Sequence, residues 1–294
     1  MKKRISTEIG SAANLVGARK AVEYCGKAGF DAWDFSMFDV IKADWSTGTV
    51  VGVPVADHPL NGREYLAYAR ELKHIGLESG IVCNQSHAPF PPSAKEFRDF
   101  LPRALEVTAE AGGQVCVIHP QNNLSPEGNR DMFLKILPYA KEYGVKIATE
   151  NMWNWNAEED CAASAACSDK ASFLSHLNAL DNPFFGACVD VGHGEMKGLN
   201  TSAAELIRGI GKDKLFALHI HDNDKWHDSH QIPFSMQIDF GEVMKALADI
   251  GYLGDLTLEC DAYLRDKTKE TAFLGLSEMA SAANRLFSAG RDKQ

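Results

Sequence analysis

The chain has 294 residues, 45% of them hydrophobic and 24% charged, with a net charge of −10 at pH 7. That composition excludes a disordered chain, and no apolar run approaches the roughly 20 residues that a membrane-spanning helix needs. The acidic balance argues against a broad phosphate-binding surface, because nucleic-acid affinity rests largely on cationic neutralisation of phosphates.

Taken in chain order, the basic start Met1-Lys2-Lys3-Arg4 is followed by Glu8 and Gly10 rather than by an uninterrupted apolar stretch. No signal peptide is expected from this, and the protein is expected in the cytoplasm. Strand-like apolar runs occupy residues 4–10, 31–36, 81–87, 114–119, 146–150, 186–190, 215–221 and 256–260. Between them lie amphipathic helical patterns such as 64–72, and 239–250 with Gly251 as its stop. Eight alternating units predict one closed (β/α)8 TIM barrel over residues 1–294. A doubly wound open sheet is the alternative, though it normally has fewer strands in such regular alternation.

Two segments, 37–60 and 153–170, are too long for simple strand-to-helix loops and are expected at the active-site rim. The first carries Trp45, His58 and Pro59, and the second opens Trp153-Asn154-Trp155. Such aromatic residues suit sugar faces or nucleobases, or simply pack the loops. Cys25, Cys83, Cys116, Cys188 and Cys260 sit inside apolar runs, and the seven cysteines are odd in number and irregularly spaced. Cys161 and Cys167 could approach each other but have no second ligand pair for zinc, so free thiols are expected. The Gly-containing segments 26–29 and 209–212 lack phosphate-loop spacing and read as helix ends. No serine occupies a Gly-x-Ser-x-Gly elbow.

The informative feature lies at the ends of the apolar runs. Six of them close on groups able to ligate metal: His87, His119, Glu150, Asp190 with His193, His219 with His221, and Glu259. In a parallel barrel these ends converge on the face that holds active sites. A lone strand-end histidine such as His87 or His119 also suits a hydrogen-bonded core position. Ionised Glu150 and Glu259 are harder to place without a partner, and no other strand end offers Lys or Arg. Asp190 could cap the turn after it. His219 and His221 are two apart, so both can face inward, and one of them suffices for a primary metal. This mixed oxygen and nitrogen set suits Mn²⁺, Zn²⁺ or Co²⁺ better than Ca²⁺ or a structural cysteine-zinc site.

Taken together, His87-Ala-Pro-Phe, His119-Pro, Glu150-Asn151, Asp190-x-Gly-His193, His219-x-x-Asp222-Asn223, Asp228-x-His230 and Glu259 resemble the xylose isomerase-like TIM barrels. That superfamily comprises sugar (phosphate) isomerases and epimerases and endonuclease IV. The resemblance covers nearly the whole chain. It implies Glu150, Asp190, His219 and Glu259 as ligands of one divalent metal, with Glu150 and Glu259 as the acid/base pair and His193 near a substrate oxygen. The endonuclease IV pattern implies up to three zinc ions, drawing in His87, His119, His193, Asp228 and His230. His221 is left as a substrate-binding or additional metal residue. After His230, Gln231-Ile232-Pro233-Phe234-Ser235-Met236 departs from the Gly-rich turn common to both groups.

Three functions are expected on these grounds. The first is a metal-dependent isomerase or epimerase that acts on a sugar or sugar phosphate through an enediolate. The second is a multi-zinc phosphodiesterase similar to abasic-site endonucleases, and the third a non-catalytic ligand-binding barrel with a structural metal. Net acidity and the lack of identifiable basic loops favour the first over the second, and disfavour nucleic acid as a partner. The intact Glu pair disfavours the third. Formation of a homo-oligomer is left open.

Overall fold

The apolar runs form parallel strands in the computed structural model, which describes residues 4–44, 49–50 and 58–289. In chain order these are β1 (Ile5–Thr7), β2 (Ala32–Ser36), β3 (Val82–His87), β4 (Val115–Val117), β5 (Lys146–Glu150), β6 (Phe185–Asp190), β7 (Leu215–His219) and β8 (Leu256–Leu258). Strands β2 to β7 pair in sequence order, and β1 pairs with β8. Parallel bridges at Glu8–Asp34 and Ile220–Leu258 join the two sets and close the barrel. Strands buried on both faces, such as β2 and β6, read as near-continuous apolar runs for that reason.

A main helix follows each strand: α1 (Ala18–Ala28), α2 (Tyr65–Glu78), α3 (Lys95–Ala111), α4 (Pro126–Tyr143), α5 (Lys170–Ala179), α6 (Ala203–Ile210), α7 (Phe240–Asp249) and α8 (Ala272–Ala289). Their limits are chemical. Ser125, Asp169, Ser202 and Asp239 accept backbone N–H groups at the starts of α4 to α7. Gly29 ends α1 and Gly211 ends α6, both at positive φ, so the two Gly-containing segments are helix ends. No described helix is long and apolar enough to cross a membrane.

Several strands are shorter than the apolar runs that announce them. The runs 4–10, 114–119, 215–221 and 256–260 continue past their ladders because the chain turns toward the next helix there. Single hydrogen bonds persist one residue further, from Glu8 N to Leu258 O and from Glu259 N to Ile220 O. Segment 153–170 is not an irregular loop. Trp153–Asn156 and Cys161–Ser164 form an antiparallel hairpin, and the Trp-Asn-Trp-Asn alternation has the two-residue period that a strand requires. Trp45 lies outside the described residues. His58 accepts the Leu60 N–H at the start of a single 3-10 turn, Pro59–Asn61. All seven cysteines are buried free thiols.

The main core lies between the strands and the helix layer. A small separate cluster, Val117, Ala148, Cys188 and Ala217, comes from the four adjacent strands β4 to β7. Side chains alternate along a strand, so these four sit one inward step below His119, Glu150, Asp190 and His219. The polar site thus rests on an apolar floor.

Candidate metal centre

Parallel register brings the strand ends level. Asp190 on β6 is opposite His219 on β7, Cys188 is opposite Glu150, and Ser36 is opposite His87. Glu150, Asp190, His219 and Glu259, from β5, β6, β7 and the residue after β8, each offer a ligand atom, all within 4.8 Å of one another. All four are buried. His219 Nδ1 is 3.1 Å from Glu150 Oε1 and 3.3 Å from Glu259 Oε2.

Two further groups flank this one. His87 and His119 join Glu150, with their Nε2 atoms 3.0 Å apart and 3.6 and 3.3 Å from Glu150 Oε2. On the other side His193, His221, Asp228 and His230 converge, with Asp228 Oδ1 3.2 Å from His230 Nε2 and Asp228 Oδ2 3.3 Å from His193 Nε2. Every residue singled out at the strand ends is therefore in one constellation. Its floor opens into a cavity of about 1030 Å³ lined by His87, His119, Glu150, His193, His230 and Glu259 among others.

Backbone contacts orient the histidine rings. Nδ1 of His87, His193, His221 and His230 faces the carbonyl of Ala88, Asn151, Asp222 and Glu259 respectively. Donation from Nδ1 turns Nε2 toward the cluster, where a bound cation would take the place of any proton on it. The family-like motifs have equally physical roles. Asn151 exchanges two hydrogen bonds with the Asp190 backbone, and Asp190 Oδ1 accepts the His193 N–H. Asp190 is thus a cap and a cluster member at once. Buried Asp222 is not in the cluster. It accepts the N–H groups of Asn223, Met236 and Ile238, which holds the loop that carries Asp228 and His230. A Cβ on Gly192 would lie 1.9 Å from His221 Cε1, so this glycine is what lets the His221 ring lie against the turn.

The electrostatics are those of an ion-binding site. Burial by itself would raise the Glu150 carboxyl, but His219 and His119 hold it well below the usual range. Glu259 is raised, first by burial and then by the Glu150 charge. The two glutamates are pushed apart, as in acid/base pairs. Burial lowers His119 to about 4, whereas Asp190 and Asp228 overcome burial to raise His193 to about 10. Glu150 Oε2, Asp190 Oδ2, Asp228 Oδ1 and His221 Nε2 are buried without a hydrogen-bond partner. Orphaned buried carboxylate oxygens facing imidazole nitrogens are costly alone and suit a divalent cation.

Two buried acids escaped the reading of strand ends. Asp34 on β2 accepts a hydrogen bond from Gln85 Nε2 and lies 3.9 Å from His219 Nε2. Glu8, just past β1, accepts from Ser11 N and Ser36 Oγ. The signal was present in each case: a carboxylate following a run, as at Glu150 and Glu259, and an Asp34/Ser36 alternation inside one.

A model of the xylose isomerase-like TIM barrel matches residues 22–275. The chain belongs to that family. The uncharacterized protein y4fM of Sinorhizobium fredii is 30% identical across 91% of each chain. Among solved structures, a D-tagatose 3-epimerase-like protein superposes with a TM-score of 0.67 at 21% identity, over 95% of this chain and 98% of that one. The IOLI protein with a bound zinc atom superposes with a TM-score of 0.70 at 16% identity, over 97% and 99%. At these identities the two structures share the family's fold with this chain.

Proposed function

We propose that this xylose isomerase-like barrel is a divalent-metal-dependent sugar isomerase or epimerase. The observation that carries the reading is the convergence of Glu150, Asp190, His219 and Glu259 at the floor of a cavity, with the two glutamates coming from the ends of non-adjacent strands. The epimerase-like neighbour and the zinc of the IOLI protein support it. Glu150, Asp190, His219 and Glu259 would hold the ion. When bound, it supplies Lewis acidity to neighbouring carbonyl and hydroxyl oxygens of a sugar, which acidifies the C–H between them.

The chain's own residues do the rest. Glu150 and Glu259 approach from different sides of the barrel, so one carboxylate can take the proton from one face of the carbon while the other returns a proton to the opposite face. An epimerase needs both; an aldose–ketose isomerase can work with one. His193 Nε2, beside Asp228, is placed to hold a substrate oxygen. The apolar floor of Val117, Ala148, Cys188 and Ala217 excludes water from below.

A second reading, a multi-zinc phosphodiesterase, is favoured by one observation: two ligand groups that share Glu150 and a third, His193, His221, Asp228 and His230, beside them. Two measurements separate the readings. Glu150→Gln and Glu259→Gln should each abolish deuterium uptake from D₂O into ketoses, since an amide of nearly equal volume cannot act as a base. Metal content measured in the same samples separates lost ligation from lost proton transfer. A wild type that exchanges no sugar proton but cleaves abasic-site DNA with zinc would replace the first reading by the second.

A further inference from the structure

Resting on the isomerase reading, the cavity also bears on what kind of sugar it takes. Its volume of about 1030 Å³ lies at the upper end of pockets that enclose drug-sized ligands, which run to roughly 1,000 Å³. A single hexose is far smaller than such ligands. The ligand groups line one part of it and residues beyond the ends of β4 and β5 line an extension, with residues after β1, β2, β3 and β8 on the remaining wall.

This extension is a shelf of neutral amides beside an indole. Gln121, Asn122, Asn123, Trp153 and Asn154 line it. Asn122 Nδ2 donates to Trp153 O and Asn154 Oδ1, and Asn154 Nδ2 donates to Asn123 Oδ1 and Ser164 O. These bonds fix Asn122 and Asn154 yet leave the side-chain Oδ1 of Asn122 and the side-chain N–H groups of Asn123 with capacity unspent. The Trp153 ring lies 6.4 Å from the His193 ring, so the shelf begins where the ligand groups end. Amides that donate and accept, beside an aromatic face, match the hydroxyls and the C–H face of a pyranose ring.

The charge inventory points the same way. Arg265 is the single Lys or Arg among the described lining residues, and it is exposed and bonded to Asp261. The cavity wall also carries Asp39 and Asp261. A terminal phosphate would meet no bidentate arginine or lysine there.

We infer that the substrate is a ketose with its carbonyl free and a second, uncharged sugar on one of its hydroxyls, the reacting ketose at the ligand groups and the second ring on the Gln121–Asn123 and Trp153–Asn154 shelf. Isomaltulose, D-fructose 6-phosphate and D-fructose provide a matched test, because the first two carry a neutral ring or a charged group on the same oxygen. Lactulose moves the second ring to another position. Calorimetry with the Mn²⁺-loaded protein should give at least one disaccharide about tenfold tighter binding than D-fructose, and no gain for D-fructose 6-phosphate. Trp153→Ala and Asn123→Ala, each checked for an unchanged unfolding midpoint, should narrow the disaccharide advantage about three- to tenfold. Arg265→Ala should leave that advantage intact.

Deuterium exchange with the same sugars separates the two possible failures. If D-fructose exchanges and binds as tightly as both disaccharides, the isomerase reading stands and the shelf proposal falls. Tightest binding of D-fructose 6-phosphate, with or without sensitivity to Arg265→Ala, also overturns the proposal. No exchange and no binding by any of the four removes the isomerase reading and the proposal with it.

Discussion

Buried acids decide most of the chemistry at the level of single residues. Asp34 lies 3.9 Å from His219 Nε2, at the ring nitrogen away from Glu150 and Glu259 and beyond hydrogen-bond distance, so it acts on the imidazole through its charge, which would favour a cation at Nδ1. Asp34→Asn keeps the volume and removes the charge, and is expected to weaken divalent-metal affinity about tenfold or more. Competition against a chromophoric chelator measures this, and an unchanged dissociation constant would reduce Asp34 to a packing residue. Glu8 gives a pH signature. Burial pushes its carboxyl up to about 7, so the folded state holds a proton that the unfolded state has already lost. Stability therefore falls as pH rises from about 4.5 through about 7, and the penalty is complete above that window. Glu8→Gln keeps an oxygen for Ser11 N and Ser36 Oγ and removes the titration. Its advantage over wild type should grow by up to about 3 kcal/mol between about pH 4.5 and about pH 7. Urea midpoints that differ equally at both ends of the window would contradict this.

Caps and short turns set the element scale. Asp239 at the start of α7 accepts the N–H groups of Gly241 and Glu242, directly after the loop that carries Asp228 and His230. Asp239→Ala is expected to lower stability by about 1 kcal/mol, read as a shift of the denaturation midpoint at constant slope. A null effect would mean that water replaces the cap. Helix α7 and its stop at Gly251 were legible because helical period and capping chemistry are local. The Trp153–Ser164 hairpin was less so. Its alternation spans only four residues, and its partner strand is rich in Ala and Ser, so length alone suggested a loop. The strand ends at Glu8 and Glu259 ran past their ladders for another reason: apolar character continues where hydrogen-bond pairing stops.

The closed barrel turns separate strand ends into one acidic, histidine-rich site, and metal should therefore act on the stability of the whole molecule. Ions that bind only the folded chain at about 100 times their dissociation constant add about 2.7 kcal/mol. For a chain of this size that corresponds to roughly a 5 °C rise in unfolding midpoint. Protein stripped with EDTA should melt at least that much below protein with excess Mn²⁺ or Zn²⁺. Identical melting curves would argue against any tight site among these residues. The barrel itself was legible in the sequence because eight apolar runs in even alternation with amphipathic stretches have few other ways to bury both faces of a parallel sheet.

By itself the sequence determined the strand–helix alternation and showed Glu150, Asp190, His219 and Glu259 as polar groups ending apolar runs, visible one run at a time; the preference for His219 over His221 came from the family resemblance. It also set out His87, His119, His193, His221, Asp228 and His230 as further members. Tertiary structure decided which nitrogen of the His193 and His230 rings faces the cluster, since Asn151 O and Glu259 O come from other chain segments. It decided that Asp222 holds a loop, that Asp34 stands behind His219, and that Gln121, Asn122 and Asn123 share a cavity wall with Trp153 from the next strand end. Apart from the Asp222 loop, those relations join residues about thirty or more positions apart; they are fixed by barrel register and closure, and no local pattern in the chain encodes them.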